Sequence, residues 1–243
     1  MPNTQHDLAG IWAGARRVVV LTGAGISTDS GIGDFRGPNG LWTRNPAAQA
    51  MFHISTYVSD PEVRRQAWAN RRANTTWTAE PNRGHRVLAT LQRAGLLSRV
   101  ITQNIDGLHQ RAGSPDALEL HGTIWEVLCL SCGRRWPTPE ILAREEADPA
   151  CVECGGILKT ATISFGQALD PNVIEAAIEA ASHADLLVAI GTSLQVNPAA
   201  GLAGLAPRLA IVNAEPTPYD DLAEIVVREP ISDVLASLEA ELT

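Results

Sequence analysis

Four cysteines fall in two Cys-x-x-Cys pairs, Cys129/Cys132 and Cys151/Cys154, with 18 residues between the pairs. Two such pairs match the spacing of a tetrahedral four-thiolate zinc site, and Gly133 and Gly155 follow each second cysteine where the knuckle must turn. Four protein ligands leave no coordination position for water, so the predicted zinc is structural. Two disulfides would suit an oxidising compartment, and a redox Cys-x-x-Cys would not need the second pair. A second constellation is Thr102-Gln-Asn-Ile-Asp-Gly-Leu-His109, directly after an apolar run. Amide, carboxylate and imidazole groups at one strand end are costly to bury without a task. Glu119-Leu-His-Gly122 ends the next short run. His121, just before a glycine, reads as an acid/base, whereas His109 reads as a structural histidine. A third is Thr22-Gly-Ala-Gly-Ile-Ser-Thr-Asp-Ser-Gly31, whose glycines let backbone approach phosphate. It has Thr28 where the dehydrogenase fingerprint wants its third glycine, and no carboxylate ends a second strand about 20 residues on, which argues against hydride transfer. Gly191-Thr-Ser193 and Asn213-Ala-Glu215 are two further small-polar turns.

The elements that must position these groups are legible as alternating strands and helices. Strands are expected at 18–22, 97–102, 116–121, 163–165, 186–190, 209–213 and 225–227, and helices at 7–17, 62–72, 81–95, 171–182 and 231–242. The pattern predicts a doubly wound α/β sheet, in which ligands sit at the carboxyl ends of the strands. Gly23, Gln103, Gly191 and Asn213 all fall at such ends.

The chain has 243 residues, 45% of them apolar and 19% charged, with a net charge of −8. This is a globular composition, and the acidic balance argues against a nucleic-acid partner and tolerates a cationic one. Lys159 is the only lysine beside 18 arginines. The N-terminus has no basic n-region, and no apolar stretch approaches about 18 residues, so a soluble, cytoplasmic protein without a membrane partner is expected. The oligomeric state is left open, with a monomer favoured.

Taken together, Gly23-Ala-Gly-Ile-Ser27, Gly31-Ile-Gly-Asp-Phe-Arg36, Thr102 to His109, Glu119-Leu-His-Gly122, the two Cys pairs, Phe165-Gly166, Gly191-Thr-Ser193 and Asn213-Ala-Glu215 resemble the sirtuins, the NAD-dependent protein-lysine deacylases. The pieces stand in family order over about residues 18–240. The resemblance implies a Rossmann-like doubly wound parallel sheet (residues 1–37, 81–124 and 161–243). It also implies a small domain made of a helical insertion (38–80) and a zinc-binding module (125–160). NAD would be the co-substrate and one structural zinc the metal.

By the same resemblance, Gly23, Ala24, Gly25, Ile26 and the mobile loop with Asp34, Phe35, Arg36 and Trp42 would hold NAD, and Phe35 would shield the reacting ribose. Gln103 and Asn104 would contact the nicotinamide-side ribose, Asn104 as a catalytic group, and Ile105 and Asp106 would bind the carboxamide. His121 would be the general base. Gly191, Thr192 and Ser193 would face phosphate and ribose. Asn213, Ala214, Glu215 and Ile231 would bind the adenosine side. An acyl-lysine protein would enter as an extended strand between Ile163, Phe165 and Gly166 on one side and Leu194 and Val196 on the other. The acyl oxygen would attack the ribose carbon as nicotinamide leaves, giving deacylated lysine and acyl-ADP-ribose.

Departures qualify the substrate. Family members often carry Pro at Gly33, Lys/Arg-Pro at Lys159-Thr160 and Phe-Gly-Glu where Phe165-Gly-Gln167 stands. In members that remove succinyl groups, a Tyr and an Arg three residues apart align here with Ala69 and Arg72, so a neutral acyl group such as acetyl is expected. A mono-ADP-ribosyltransferase on the same scaffold and a non-catalytic NAD-sensing module are the competing readings.

Overall fold

The computed structural model of the protein describes residues 4–45 and 52–243. Six strands, β1 (Val18–Thr22), β2 (Arg99–Thr102), β3 (Leu118–Glu119), β7 (Leu186–Ile190), β8 (Leu209–Val212) and β9 (Ile225–Val227), form a sheet in the order β3-β2-β1-β7-β8-β9. Every neighbouring pair is parallel. The apolar run Val18–Leu21 is explained by burial on both faces. Val18 and Val20 enter one core with Val188 and Ile190, while Val19 and Leu21 enter the other with Leu187 and Ala189. The first core is covered by α1 (Thr4–Ala13), α5 (Arg83–Arg93) and α9 (Ile231–Leu242), the second by α8 (Pro171–Ser182). The short α6 (Leu108–Ala112) packs on α5. Among the described residues no helix is long and apolar enough to cross a membrane.

A second, antiparallel sheet contains β4 (Gly122–Cys129), β5 (Arg135–Pro137) and β6 (Leu158–Thr162), ordered β5-β4-β6. Around it lie α2 (Leu41–Arg44), α3 (Ile54–Ser59), α4 (Pro61–Arg72) and α7 (Thr138–Leu142). Trp68 of α4 packs with Val127, Cys129, Ile141, Cys151 and Leu158, so the helical insertion and the cysteine unit share one small core. The sheet runs from Gly122 to Thr162 and thus extends past residues 125–160 at both ends.

Several elements start where local chemistry dictates. Asp60 and Asp170 cap α4 and α8, accepting from the Glu62 and Asn172 amides, with proline at the first helical position of each. The strand expected at 163–165 is displaced. β6 ends at Thr162, and beyond it Phe165 makes only an isolated bridge to His53. Lys159, Thr160 and Thr162 obscure β6 in the sequence, because they are polar side chains that bury by bonding within their own strand. The third parallel strand shrinks to Leu118–Glu119 at the sheet edge.

Candidate active site

The strand order reverses between β1 and β7, and a cleft of about 2000 Å³ opens where their carboxyl ends meet the small sheet. Gly23, Ala24 and Gly25 line it from β1, and Gly191, Thr192 and Ser193 from β7. The two turns touch. The Gly25 amide donates to the Gly191 carbonyl (2.8 Å), and a Cβ on Gly25 would lie 2.7 Å from the Gly191 Cα. Glycine at this position is therefore required first by strand-end packing. Ile26 turns away into the core (2% exposed), and its carbonyl accepts from Asn82 Nδ2 at 2.7 Å.

The floor of the cleft is built from the segment after β2. Gln103 Nε2 donates to Thr192 Oγ1 (2.8 Å), tying the second turn to the floor. Asn104 Nδ2 donates to the Gly23 carbonyl and to Ser27 Oγ, both at 3.1 Å. Asn104 lines the cleft, and its Oδ1 makes no hydrogen bond among the described residues. Asp106 accepts from Ser27 Oγ (2.7 Å) and the Leu108 amide (2.9 Å). Burial pushes its carboxyl up, and those two bonds oppose the shift. Ile105 lines the cleft beside them.

His121 sits between β3 and β4 with its Nδ1 2.9 Å from the Gln103 carbonyl. A carbonyl only accepts, so Nδ1 carries the hydrogen, and the neutral ring presents a bare Nε2. Burial pulls its pKa below the ordinary histidine value, and the Gln103 carbonyl pulls the other way. His109 lies elsewhere, fully buried and bonded to Thr22 Oγ1 at 2.9 Å. Thr22 donates onward to Thr102 Oγ1, which also accepts the Asn104 amide. That is a structural histidine.

Over the cleft, Phe35 packs on Trp42 (centroids 4.7 Å apart), Trp42 on Phe165 (5.5 Å), and the Arg36 guanidinium lies 4.4 Å from the Trp42 ring. Asp34 lines the same loop. At the far end, Asn213, Ala214, Glu215 and Ile231 face the cleft. Arg228, absent from any motif, pins that turn by donating to the Asn213 and Glu215 carbonyls (2.7 Å each) and pairing with Asp220. Ile163, Gly166 and Val196 line the opposite wall, but Leu194 is buried in the core, and Gln195 faces the cleft instead. Ser27, Asn82 and Arg228 are supports that the motifs did not assign. They are recognisable only once chain segments 56–79 residues apart, or the two arms of a turn, meet.

The four cysteine sulfurs all lie within 4.8 Å of one another, with Cys129–Cys154 at 3.5 Å and Cys132–Cys151 at 3.8 Å. Disulfide sulfurs would be about 2.05 Å apart. Sulfurs about 2.3 Å from one zinc at tetrahedral angles sit roughly 3.8 Å apart, so the thiol set suits a single closed zinc site.

A Sir2 family model matches residues 23–198. The chain belongs to the Sir2 family. Among Sir2 relatives, the NAD-dependent protein deacetylase 2 of Streptomyces coelicolor is 53% identical over 91% of this chain and 95% of its own. The NAD-dependent protein deacetylase of Rhodopseudomonas palustris is 43% identical over 95% and 94%. A solved Sir2–p53 peptide–NAD+ complex aligns with a TM-score of 0.88 at 35% identity, covering 97% of each chain.

His85 and His109 are expected to make this Sir2 fold acid-sensitive. Burial holds their pKa values near 4 and 3, with Arg86 and His85 respectively adding to the shift. Unfolded histidine takes a proton below about 6.5 and the folded rings do not. Their stabilisation is therefore full above about pH 6.5 and is lost as pH falls towards those values. Urea melts between pH 7 and 5 should show His109→Gln flattening the wild-type decline. An unchanged slope would contradict the assignment.

Proposed function

We propose that this chain is an NAD-dependent protein-lysine deacetylase with one structural zinc. The observation that carries the reading is His121, its Nδ1–H spent on the Gln103 carbonyl and its Nε2 bare in the cleft of a chain that aligns along its length with a Sir2–p53 peptide–NAD+ structure. When bound, NAD would supply the ribose carbon that the acyl oxygen attacks as nicotinamide leaves. The chain's own residues do the rest. Gly23, Ala24, Gly25, Thr192 and Ser193 hold the phosphate region. Asn213, Ala214, Glu215 and Ile231 hold the adenosine side, with the turn fixed by Arg228. Gln103, Asn104, Ile105 and Asp106 order the reacting end, where the unpaired Asn104 Oδ1 accepts a hydroxyl. Phe35, with Asp34, Arg36 and Trp42, excludes water from above. His121 would take at Nε2 the proton given up by the ribose hydroxyl pair. A neutral imidazole suits that role at pH 7. Cys129, Cys132, Cys151 and Cys154 hold the zinc away from this chemistry.

The acyl-lysine segment adds as a strand between Ile163, Phe165 and Gly166 and the 194–197 turn, in which Leu194 contributes only backbone and Val196 lines the wall. Phe165 already bonds through its amide and carbonyl to Phe52 and Ile54. Gly166 and Gln195 make no hydrogen bond among the described residues, and they offer the free backbone that strand addition needs. Gly166 has φ +82, and a Cβ there would sit 2.6 Å from His53 Cε1. Strain of about 1–3 kcal/mol is expected for Gly166→Ala. Peptide KM should then rise roughly tenfold or more, with NAD affinity kept. Steady-state kinetics at varied peptide check this.

The deciding experiment incubates the full chain with NAD and an acetyl-lysine peptide and follows products by mass spectrometry. Deacetylated peptide, nicotinamide and acetyl-ADP-ribose in equal amounts are expected. Transfer of ADP-ribose to protein without deacetylation would overturn the reading.

A further inference from the structure

Two tryptophans, Trp77 and Trp125, stand behind the cleft wall and belong to none of the motifs that the function uses. Trp125, near the start of β4, donates its indole N–H to the Asp106 carbonyl at 2.8 Å. That is the one hydrogen bond this carbonyl accepts among the described residues. One residue earlier, the Ile124 amide donates to the Ile105 carbonyl at 3.0 Å. The backbone of Ile105 and Asp106 thus hangs on the first residues of β4. Gly107 continues the turn with φ +72, and a Cβ there would lie 2.7 Å from Trp125 Nε1. The indole therefore fills the space beside this turn as well as bonding to it.

Trp77 braces the indole from the helical insertion. The two rings meet edge to face, with centroids 5.1 Å apart and planes at 81°. Trp77 Nε1 donates to the Arg71 carbonyl near the end of α4 (2.6 Å). Just beyond, the Ala79 carbonyl and the Glu80 carboxylate accept from Arg111 of α6, the helix whose N-cap is Gly107. The helical insertion and β4, both parts of the small domain, therefore converge on one turn. On the cleft side of that turn stands the Asp106 carboxyl, fixed by Ser27 and the Leu108 amide. Trp125 and Trp77 hold the turn from behind and do not line the cleft.

Resting on the deacetylase reading above, in which Ile105 and Asp106 take the nicotinamide carboxamide, we infer that Trp125 is a positioning residue for the nicotinamide end of the site, held in place by Trp77. Trp125 acts through another residue. Its N–H fixes the peptide plane between Asp106 and Gly107, and with it the direction in which the Asp106 side chain leaves the turn. A single hydrogen bond of this kind shifts an equilibrium by about 2- to 10-fold. No hydrogen bond or ring contact among the described residues links Trp125 to the acyl-peptide segments around Ile163–Gly166 or the 194–197 turn. The loss of its N–H should therefore fall on the nicotinamide end and spare the peptide groove.

The test uses the full chain, NAD, an acetyl-lysine peptide and added nicotinamide as a product inhibitor. Trp125→Phe keeps a ring and removes the N–H. Its inhibition constant for nicotinamide and its KM for NAD are each expected to rise about 3- to 10-fold, with the peptide KM within about twofold of wild type. Trp77→Phe, which keeps the edge contact and loses only the bond to Arg71, should move the same two constants in the same direction and by less. Gly107→Ala drives a Cβ against the same indole nitrogen and should give the same split as Trp125→Phe. It serves as the test if circular dichroism shows Trp125→Phe unfolded. Unchanged nicotinamide inhibition in a folded Trp125→Phe would overturn the proposal. So would a peptide KM that rises as much as the NAD KM, the mark of a general loosening of the small domain. A wild type that deacetylates the peptide without inhibition by nicotinamide would overturn it too, with the deacetylase reading intact. No deacetylation by the wild type would instead overturn the deacetylase reading.

Discussion

His121→Ala is expected to lower kcat for deacetylation by about 100- to 10,000-fold, the range lost with a positioned general base. NAD and peptide affinities should change little, because the His121 ring makes its one hydrogen bond among the described residues to the Gln103 backbone and supports no other side chain. Calorimetric titration of NAD and peptide separates the two effects. His121→Gln should not rescue the rate, since an amide fills the space and cannot take a proton. The pH profile supplies an independent readout. The active form is the neutral ring, and burial holds its pKa below the ordinary value of 6.5. Wild-type kcat/KM should therefore be level near pH 7 and fall on the acid side through a value under 6.5. Residual activity within tenfold of wild type, or an acid limb unchanged in the variant, would show that another group takes the proton.

The strands that frame this histidine were readable because they are buried on both faces. Val18–Leu21, Leu186–Ile190 and Ile225–Val227 are apolar from end to end, and such short unbroken β-branched runs closed by small or polar residues suit a parallel core strand. Pro171 and Ile231 likewise open helices at the residues where the sequence places them. β6 was not readable, because Lys159, Thr160 and Thr162 satisfy one another in a way that no hydropathy pattern reports. The site divides along the same line. Motifs at strand ends mark Asn104, Asp106 and His121, since each must leave a strand at its carboxyl end to reach the cleft. They do not distinguish neighbours within a tight turn. Ile26 and Leu194 lie among cleft residues yet point into the core. Nor do they reveal supports such as Asn82 or Arg228, whose work is done on distant backbone carbonyls.

Loss of the metal should have the largest effect on the fold. Structural zinc contributes on the order of 10 kcal/mol to the folding of small modules, comparable to the whole stability of an ordinary domain, about 5–15 kcal/mol. Cys129→Ser removes one of four ligands from a closed site and is expected to release the zinc at neutral pH. Cys129 and Cys151 are also buried in the small core with Trp68, Val127, Ile141 and Leu158, so the damage spreads from the knuckles into α4, β4 and β6. Hydrogen exchange should show β4 and β6 losing protection while β1, β7 and β8, which draw on two separate cores, keep theirs. Activity should fall with the small sheet although zinc touches no reacting group. β4 begins at Gly122, next to His121, and β6 ends at Thr162, next to the substrate strand. Chelation of the wild-type protein should reproduce the effect, and added zinc should reverse it for the wild type but not for Cys129→Ser. A variant that keeps one zinc per chain by mass spectrometry, or that loses zinc with β4 still protected, would show that the thiols are not the closure this small domain depends on.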